Sequence, residues 1–538
     1  MFLIKNSYCF PCVCHLLVLC LTRQTFYSLK FLAMSFKPSK YQTAVYQHVT
    51  DGTGNAVIDA VAGSGKSTTI VEALKLIPKN LKVLFLAFNK AIVEELSIKI
   101  GNLPNVDVKT LHALGRSAIN NATQGYLDVK GDKYRNYVNK AVEFGGIRPE
   151  AKLDWDEMGV YKQNILKLVD LCRVNLCKTP EHLMDIGRKH MIFTADNEVE
   201  MALNVVDWGC SEGQRKVIDF TDMIYFPNVF QSMMKREDFQ YDFVFIDECQ
   251  DLNTAQREMF LQTVRAETGR FVAVGDPRQA IYGFAGADVE SFETLKNSPN
   301  TISLPLSVCY RCDESIIEKA KTIVPQIEAK DNAEKGIVDD NAKVEQILDG
   351  DMVLCRITAP LVALCMFYIS TGVKAYVKGR DIGMNLINMI KKTKCRYMDD
   401  TMSKLEKDLE KLSKKIMKRS DCTLEEVKED TQYTSMRDKV NAIGVIAKDL
   451  KMTDAVMNRI EAIFKDDQKS GICLSTIHKA KGLESDRVFI IRPDKMFLKH
   501  CMSVPWMAEQ EYNLAYVAYT RAKKYLGFVR DFQMDDEY

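Results

Sequence analysis

The stretch Ala60-Val61-Ala62-Gly63-Ser64-Gly65-Lys66-Ser67 decides how this chain is read. It follows an apolar, strand-like Ala56-Val57-Ile58 and opens a helical pattern through Ile70, Val71 and Leu74. A strand, a glycine-bearing turn and a helix in that order form a phosphate-binding loop. The glycines let backbone N–H groups turn toward phosphate oxygens, and the helix adds the positive end of its dipole. In this reading Ala62, Gly63, Ser64, Gly65, Lys66, Ser67 and Thr68 surround the phosphates of ATP. Lys66 reaches the β- and γ-phosphates and Ser67 ligates Mg²⁺. Position 60 is Ala where the general pattern has Gly, a change tolerated at the loop's outer edge. Taken alone, the eight residues also fit an ordinary Gly/Ser turn before a helix.

A second stretch turns the loop into a hydrolytic site. Phe243-Val244-Phe245-Ile246 reads as a strand buried on both faces of a parallel sheet, and it ends in Asp247-Glu248-Cys249-Gln250-Asp251. Acidic residues at the carboxyl end of such a strand lie where α/β sheets place their ligands. Asp247 can hold the water shell of Mg²⁺, and Glu248 can orient or deprotonate an attacking water. Alone, such an acidic pair is often only a solvated turn; downstream of a phosphate loop it reads as catalytic.

Length and composition bound the remainder. At 538 residues the chain exceeds one compact core, so two to four units are expected. It is 46% hydrophobic and 27% charged, as globular proteins are. Its net charge of +1 excludes a uniformly basic coat, so any grip on phosphate depends on local Lys and Arg placement. The 16 cysteines follow no framework spacing and read as reduced thiols of a cytoplasmic setting, or a nuclear one in a eukaryote. Residues 1–33 stand apart. Their run Leu16-Leu17-Val18-Leu19-Cys20-Leu21 is far shorter than the roughly 20 residues of a membrane helix, so no membrane association is expected. Cys9 and Cys12 have no matching second half for a zinc site. The folded protein is expected to begin near Met34, after an N-terminal extension.

With these motifs in place, the chain resembles UvrD/Rep-type superfamily 1 DNA helicases from about residue 40 to 525. Gln42, in Lys40-Tyr41-Gln42-Thr43, stands where that family reads the adenine edge. Leu86-Ala87-Phe88-Asn89-Lys90 and Thr110-Leu111-His112-Ala113-Leu114-Gly115 resemble its strand-contacting segments. Asp247-Glu248-Cys249-Gln250-Asp251 has its acidic form, and Gly275-Asp276-Pro277-Arg278-Gln279-Ala280-Ile281-Tyr282-Gly283-Phe284 resembles the segment coupling ATP to the strand. Leu306-Ser307-Val308-Cys309-Tyr310-Arg311, Ser475-Thr476-Ile477-His478-Lys479-Ala480-Lys481-Gly482-Leu483-Glu484 and Leu514-Ala515-Tyr516-Val517-Ala518-Tyr519-Thr520-Arg521-Ala522 complete the set.

The resemblance implies an α/β fold of two RecA-like parallel-sheet P-loop domains, each interrupted by a mainly helical insertion. It also implies roles. Arg311 and Arg521 face the γ-phosphate from the second domain, and Gln279 senses it from the first. Tyr310 stacks on adenine and Glu484 meets the ribose. Physical chemistry agrees about the arginines, since a cation supplied across the cleft to a transferring phosphoryl group contributes about 10³–10⁵ in rate. An isolated arginine, by contrast, is ordinarily a surface charge.

Single strands are held by aromatic faces, each stack contributing about 1–3 kcal/mol. Phe88, Tyr282 and Phe284 are the candidates, with core packing as the alternative for Phe88. Phe284 stands where relatives carry Trp, and Ala285 where they carry Arg, which removes one charge from the coupling segment. Asn89, Thr110, His112 and His478 are expected at the strand, with both histidines in polar loops rather than buried. Cys309 and Cys312 bracket Tyr310 and Arg311 and read as a coincidental pair.

The first motor domain is expected over 34–115 and 211–300, with a helical accessory insertion at 116–210. There Tyr134, Tyr137, Val138 and Val142, then Ile165, Leu166, Leu168 and Val169, recur at helical spacing. Asp219 and Asp222 either return the chain to the motor core or cap a helix. The second domain is expected over 301–383 and 470–538, with strands near 351–356 and 373–377. A small helical insertion spans 384–469, where Met402, Leu405, Leu409, Leu412 and Ile416 make a short coiled-coil stripe. Its basic flanks fit either duplex phosphate or a solvated face. Little sequence follows Arg521, so no fused nuclease is expected.

The function expected is an ATP-dependent DNA helicase, a monomer or weak oligomer. It would translocate 3′ to 5′ on single-stranded DNA and engage single/double-strand junctions beside replication, repair or recombination proteins. A translocase that displaces bound proteins without unwinding, and a nucleotide-switched binding module, are the alternatives.

Overall fold

A computed structural model of the chain describes residues 37–532, except 102, 150–152, 154, 191, 193–195, 212–214, 284–289, 421–422, 429, 467 and 469. The extension 1–33 therefore lies outside the described residues, as do Phe284 and Ala285.

Apolar runs with no polar spacing build two parallel sheets. Val83–Ala87 and Phe243–Ile246 are buried at every position, as strands covered on both faces must be. The first sheet comprises β1 (Asn55–Ala60), β2 (Val83–Ala87), β3 (Val106–Thr110), β4 (Phe243–Ile246), β5 (Arg270–Gly275) and β6 (Thr301–Leu306). Its six strands run in the order β3-β2-β4-β5-β1-β6, every pair parallel. The second comprises β7 (Ile337–Ala342), β8 (Met352–Cys355), β9 (Ala375–Lys378), β10 (Ile472–Thr476), β11 (Ser485–Ile491) and β12 (Ala522–Val529). Its order is β7-β12-β11-β8-β10-β9, again all parallel.

One expected boundary moves. Thr301–Leu306 was expected to begin the second domain, yet it pairs with β1 from Asn55↔Thr301 to Ala60↔Leu306 and closes the first sheet. Pro305 suits that edge, because proline has no N–H to give a further neighbour.

Period-two alternation along β1 splits the packing between the faces of the sheet. Ala56, Ile58 and Ala60 join the core formed with the helices Lys40–Asp51 and Lys66–Leu76. Val57 joins Leu84 and Leu86 in a core that runs into the first helical insertion through Val138, Ile165, Leu168 and Val205. An ionic cluster fastens the same junction. Arg173 donates to Asp219 at 2.8 Å and to Asp222 at 2.9 Å, while Lys133 donates to Asp222 at 2.8 Å. The Asp222 N–H also donates to Asp219 at 2.7 Å, so capping and core anchoring are both true of this pair.

The second insertion is helical too. In Met398–Ser420, Leu405, Leu409 and Ile416 are buried, and Leu405 shares a core with Val440 and Ile443 and with Val353 and Leu474 of the second sheet. The stripe read as a coiled coil thus packs within the chain. Among the described residues no helix is long and apolar enough to cross a membrane.

A further core crosses between the sheets. Val61, Ala62 and Ile281 pack with Cys309, Ile477 and Tyr516. This fixes the geometry that matters: the carboxyl ends of β1, β4 and β5 carry the phosphate loop, Asp247 and Asp276, whereas Glu484 and Arg521 immediately precede β11 and β12. The carboxyl edge of one sheet meets the amino edge of the other.

Candidate nucleotide cleft and nucleic-acid interface

The phosphate loop turns through left-handed glycines, Gly63 at φ 67° and Gly65 at φ 76°. Gly65 ends the loop as the residue before helix Lys66–Leu76, which presents its first N–H groups to the cleft. A Cβ on Gly63 would lie 2.7 Å from Arg311 Cβ and 3.0 Å from Cys309 Sγ, so glycine is required by contact as well as by φ. Two hydrogen bonds tie the loop across the cleft. Tyr310 N donates to Gly63 O at 2.9 Å, and Ala62 N donates to the Tyr516 hydroxyl at 2.8 Å.

Beneath the loop lies a continuous polar chain. Lys66 Nζ pairs with Glu248 at 3.2 Å. Gln250 donates from Nε2 to Glu248 at 2.5 Å and accepts at Oε1 from Asp276 N at 3.0 Å. Gln279 Nε2 donates to Asp276 at 2.6 Å, and Arg521 Nη2 donates to Gln279 Oε1 at 3.4 Å. Lys66 and Arg521 are therefore joined through four intervening residues, Asp276 taking part with both its backbone N–H and its carboxylate. Glu248 sits at φ 52°, a conformation costly for a non-glycine residue and commonest at functional positions.

Burial sets the charge states. Asp247 is pushed up to about 6 by burial, then by the charge of Glu248. Asp276 and Asp251 rise to about 6 for the same first reason, against the pull of Lys66 and Lys481 respectively. Burial also acts on Glu248, but Lys66, Lys481 and Gln250 more than reverse it and hold the carboxylate down to about 2. Lys66 is raised, burial being outweighed by Glu248, Asp247 and Asp276. Arg521, 1% exposed, falls to about 10 through burial and the nearby Arg311, and stays charged at neutral pH. The result is an ionised Glu248 beside three aspartates, Asp247, Asp251 and Asp276, that burial makes harder to ionise.

The other predicted nucleotide residues surround this chain. Gln42 is buried; its Oε1 accepts from Ser39 N at 2.9 Å and its Nε2 donates to Thr69 at 3.1 Å. A Cβ on Gly65 would meet Gln42 at 3.7 Å and the Tyr310 ring at 3.8 Å, so these two flank the loop together. Tyr310 is 40% exposed, leaving its ring available to a planar ligand. Arg311 donates to Glu484 at 2.7 Å, and Lys523 pairs with the same carboxylate at 2.7 Å. Glu484 thus holds Arg311 in the cleft in addition to the ribose role expected of it. Ser67 is half-buried and Thr68 exposed in the first turn of the loop's helix. Cys309 and Cys312 are buried under the loop.

The strand-side candidates divide. Phe88 is 45% exposed at the carboxyl end of β2, a free face rather than core packing. Asn89 and Thr110 each cap a helix, accepting from Ile92 N at 2.9 Å and from Ala113 N at 3.1 Å. His112 was expected in a loop but stands in the first turn of helix Leu111–Thr123, half-buried, its pKa lowered by burial. His478 does follow β10 in a turn and is half-buried, and burial with Arg356 pushes it down to about 3. It is a neutral imidazole, not a phosphate-binding cation. Tyr282 is half-buried with Lys481 Nζ 5.0 Å from its ring centroid, so a cation lies over that ring.

Sequence reading assigned no role to Gln250, Asp251, Asp276, Asn513, Tyr516 or Lys481. Lys481 donates to Gln279 O at 2.7 Å and also to Asp251, and Asn513 donates to Ala280 O at 3.0 Å. Five of them stand inside the quoted motifs and Asn513 immediately precedes one, so the signal was present; which of them face the cleft depends on helix phase and sheet order. Among the described residues no group of three His, Cys, Asp or Glu could hold a metal ion unaided. Ser67 and Asp247 suit Mg²⁺ that also takes oxygens from phosphate, as hard-oxygen donor sets do.

Residues 41–300 match the UvrD/REP helicase N-terminal domain and residues 194–530 the UvrD-like helicase C-terminal domain. The chain is 24% identical over 530 residues to F-box DNA helicase protein 1 of Schizosaccharomyces pombe, covering 87% of this chain and 55% of that protein. It is 22% identical over 535 residues to F-box DNA helicase 1 of Gallus gallus, covering 94% and 50%. With DNA helicase II of Escherichia coli it shares 26% identity over 148 residues, covering 26% and 20%. The chain thus spans about half the length of the F-box relatives it matches.

Proposed function

The chain belongs to the UvrD-like helicase family, and from that premise we propose that it is an ATP-driven motor on single-stranded DNA, moving 3′ to 5′ and opening duplex ahead of it. The observation that carries this reading is the hydrogen-bonded path from Lys66 through Glu248, Gln250, Asp276 and Gln279 to Arg521. ATP bound at the loop places its γ-phosphate between Lys66 and the two arginines. Ser67 and Asp247 would hold Mg²⁺, which when bound would neutralise phosphate charge. Glu248, ionised because Lys66 and Lys481 hold it so, takes the proton of the attacking water. Arg311 and Arg521 stabilise the charge spread over the transferring group. Loss of the γ-phosphate then releases Arg521 and Gln279 from a common partner, and the two sheets separate.

Phe88 gives the moving strand a stacking face on the first sheet. Single/double-strand junctions, and replication or repair proteins working on them, are the partners this reading calls for, with the chain acting as a monomer or weak oligomer. A strand-displacement assay on duplexes with 3′ or 5′ tails tests it. Displacement that needs ATP and a 3′ tail is expected. Movement along a single strand that strips bound protein but leaves duplex intact would replace unwinding by translocation alone.

A further inference from the structure

Two thiols lie against the phosphate loop. Cys309 ends the short strand Val308–Cys309, and Cys312 follows it across a bend with Tyr310 and Arg311 between them. Both are buried in the core that crosses between the sheets, beside Val61, Ala62 and Tyr516. Cys309 Sγ stands 3.0 Å from where a Cβ on Gly63 would be, so it touches the loop itself. Cys312 Sγ lies 3.8 Å from Thr520 O, the carbonyl immediately before Arg521. By spacing alone the pair reads as coincidence; in the fold the two thiols are in hydrogen-bond contact.

Their chemistry is unequal. The hydrogen bond from Cys312 holds the Cys309 thiol down to about 7 against burial, and the N–H groups of Cys312 and Arg311 add to it. The same bond, then burial, pushes Cys312 well up. One sulfur is thus available as a thiolate near neutral pH while the other keeps its proton, the division that lets a dithiol close to a disulfide. Thiols already in contact need little backbone movement to bond.

We propose that Cys309 and Cys312 form an oxidation site which peroxide converts to a disulfide, and that this disulfide shifts Tyr310 and Arg311 against the phosphate loop and stops hydrolysis. The Cys309 thiolate attacks one peroxide oxygen and the O–O bond breaks. The departing hydroxide takes up the proton that Cys309 released and leaves as water, and Cys309 becomes a sulfenic acid. Cys312 then loses its proton and attacks the Cys309 sulfur, the S–O bond breaks, and hydroxide leaves with that proton as a second water. Two thiols are oxidised and peroxide is reduced to water. Tyr310 and Arg311 have little freedom to absorb the change. Tyr310 N donates to Gly63 O at 2.9 Å, Arg311 Cβ lies 2.7 Å from the position of a Cβ on Gly63, and Arg311 donates to Thr520 O at 3.2 Å. Misplacing such a group by about 1 Å costs about 10²-fold in rate. The proposal rests on the reading of this cleft as the ATP site and adds to it control by oxidation.

The test uses the full chain, hydrogen peroxide and dithiothreitol. Trypsin cuts after Arg311, so the disulfide joins the peptides on either side of that cut, a link that mass spectrometry detects and reduction removes. The link is expected in the peroxide-treated parent, with ATP hydrolysis at least about tenfold down and restored by dithiothreitol. Cys312→Ser keeps a hydroxyl where the thiol stood and leaves every other cysteine in place. It is expected to hydrolyse ATP when reduced and to lose both the link and the reversible inhibition. Free thiols at both positions in the treated parent, or equal reversible inhibition of parent and Cys312→Ser, overturn the proposal. So does a link that leaves hydrolysis unchanged. A reduced parent that hydrolyses no ATP sinks the motor reading instead, and the oxidation site then stands or falls on the link, which is read in the parent and needs no variant.

Discussion

The hydroxyl of Tyr516 accepts a 2.8 Å hydrogen bond from the backbone N–H of Ala62, tying the phosphate loop of one sheet to the helix that leads into Arg521 of the other. Tyr516→Phe leaves that buried N–H unpaired, at a cost of about 1–3 kcal/mol. A lower melting temperature and a higher KM for ATP are expected. An unchanged KM would mean that the bond has no part in setting the loop.

Lys66→Ala removes the cation that holds Glu248 and offsets Asp247 and Asp276. Hydrolysis is expected to fall by at least about 10²–10³, the loss typical of one electrostatic contact to a transition state. Turnover within tenfold of the parent would move the nucleotide site elsewhere.

Arg521→Ala separates binding from chemistry. Its guanidinium lies against Gln279, so ATP should still bind while the rate drops by about 10³ or more. Nucleotide binding by fluorescence and single-turnover hydrolysis distinguish the two. A rise in KM with kcat preserved would assign Arg521 to binding alone.

Legibility in the sequence followed the range of the interaction. The phosphate loop, the strand Phe243–Ile246 and both helical insertions were readable, because apolar periodicity and glycine placement are local. The edge strand Thr301–Leu306 was misassigned because only its pairing with Asn55–Ala60 puts it in the first sheet. Asn89 and Thr110, expected at the strand, also cap helices, a demand those segments make on a short polar residue at that position that the motif alone does not display. Tyr516 meets Ala62 only when segments 454 residues apart come together, and Gln250 meets Asp276 only because β4 and β5 are neighbours in the sheet; spacing alone carries no sign of either.

The buried aspartates give a signed pH dependence. Asp251 and Asp276 are raised to about 6, so their favourable contribution to folding is full below their ordinary value near 4 and is lost as pH rises through 6. Glu248 has the opposite sign. It is held down to about 2, so its contribution is present above its ordinary value near 4.5 and is lost only as pH falls from there toward 2. Between pH 7 and 5 the aspartates dominate, adding about 1 kcal/mol each as pH falls. Melting temperatures of the parent and Asp276→Asn across that window test this. The variant should show the shallower rise, and parallel profiles would show that Asp276 does not titrate there.

Arg173 is fully buried against Asp219 and Asp222. Arg173→Ala leaves both carboxylates without it and is expected to cost about 3–5 kcal/mol. Denaturant unfolding measures the loss, and a change within about 0.5 kcal/mol would make the cluster a bystander to stability.

The central claim is that ATP hydrolysis in this cleft is coupled to a single strand, and the steady-state ATPase rate with and without single-stranded DNA tests it most directly. Stimulation by DNA that saturates with strand concentration, exceeds stimulation by RNA and disappears in Lys66→Ala is the result predicted. Hydrolysis at one rate whether or not a strand is present would contradict it.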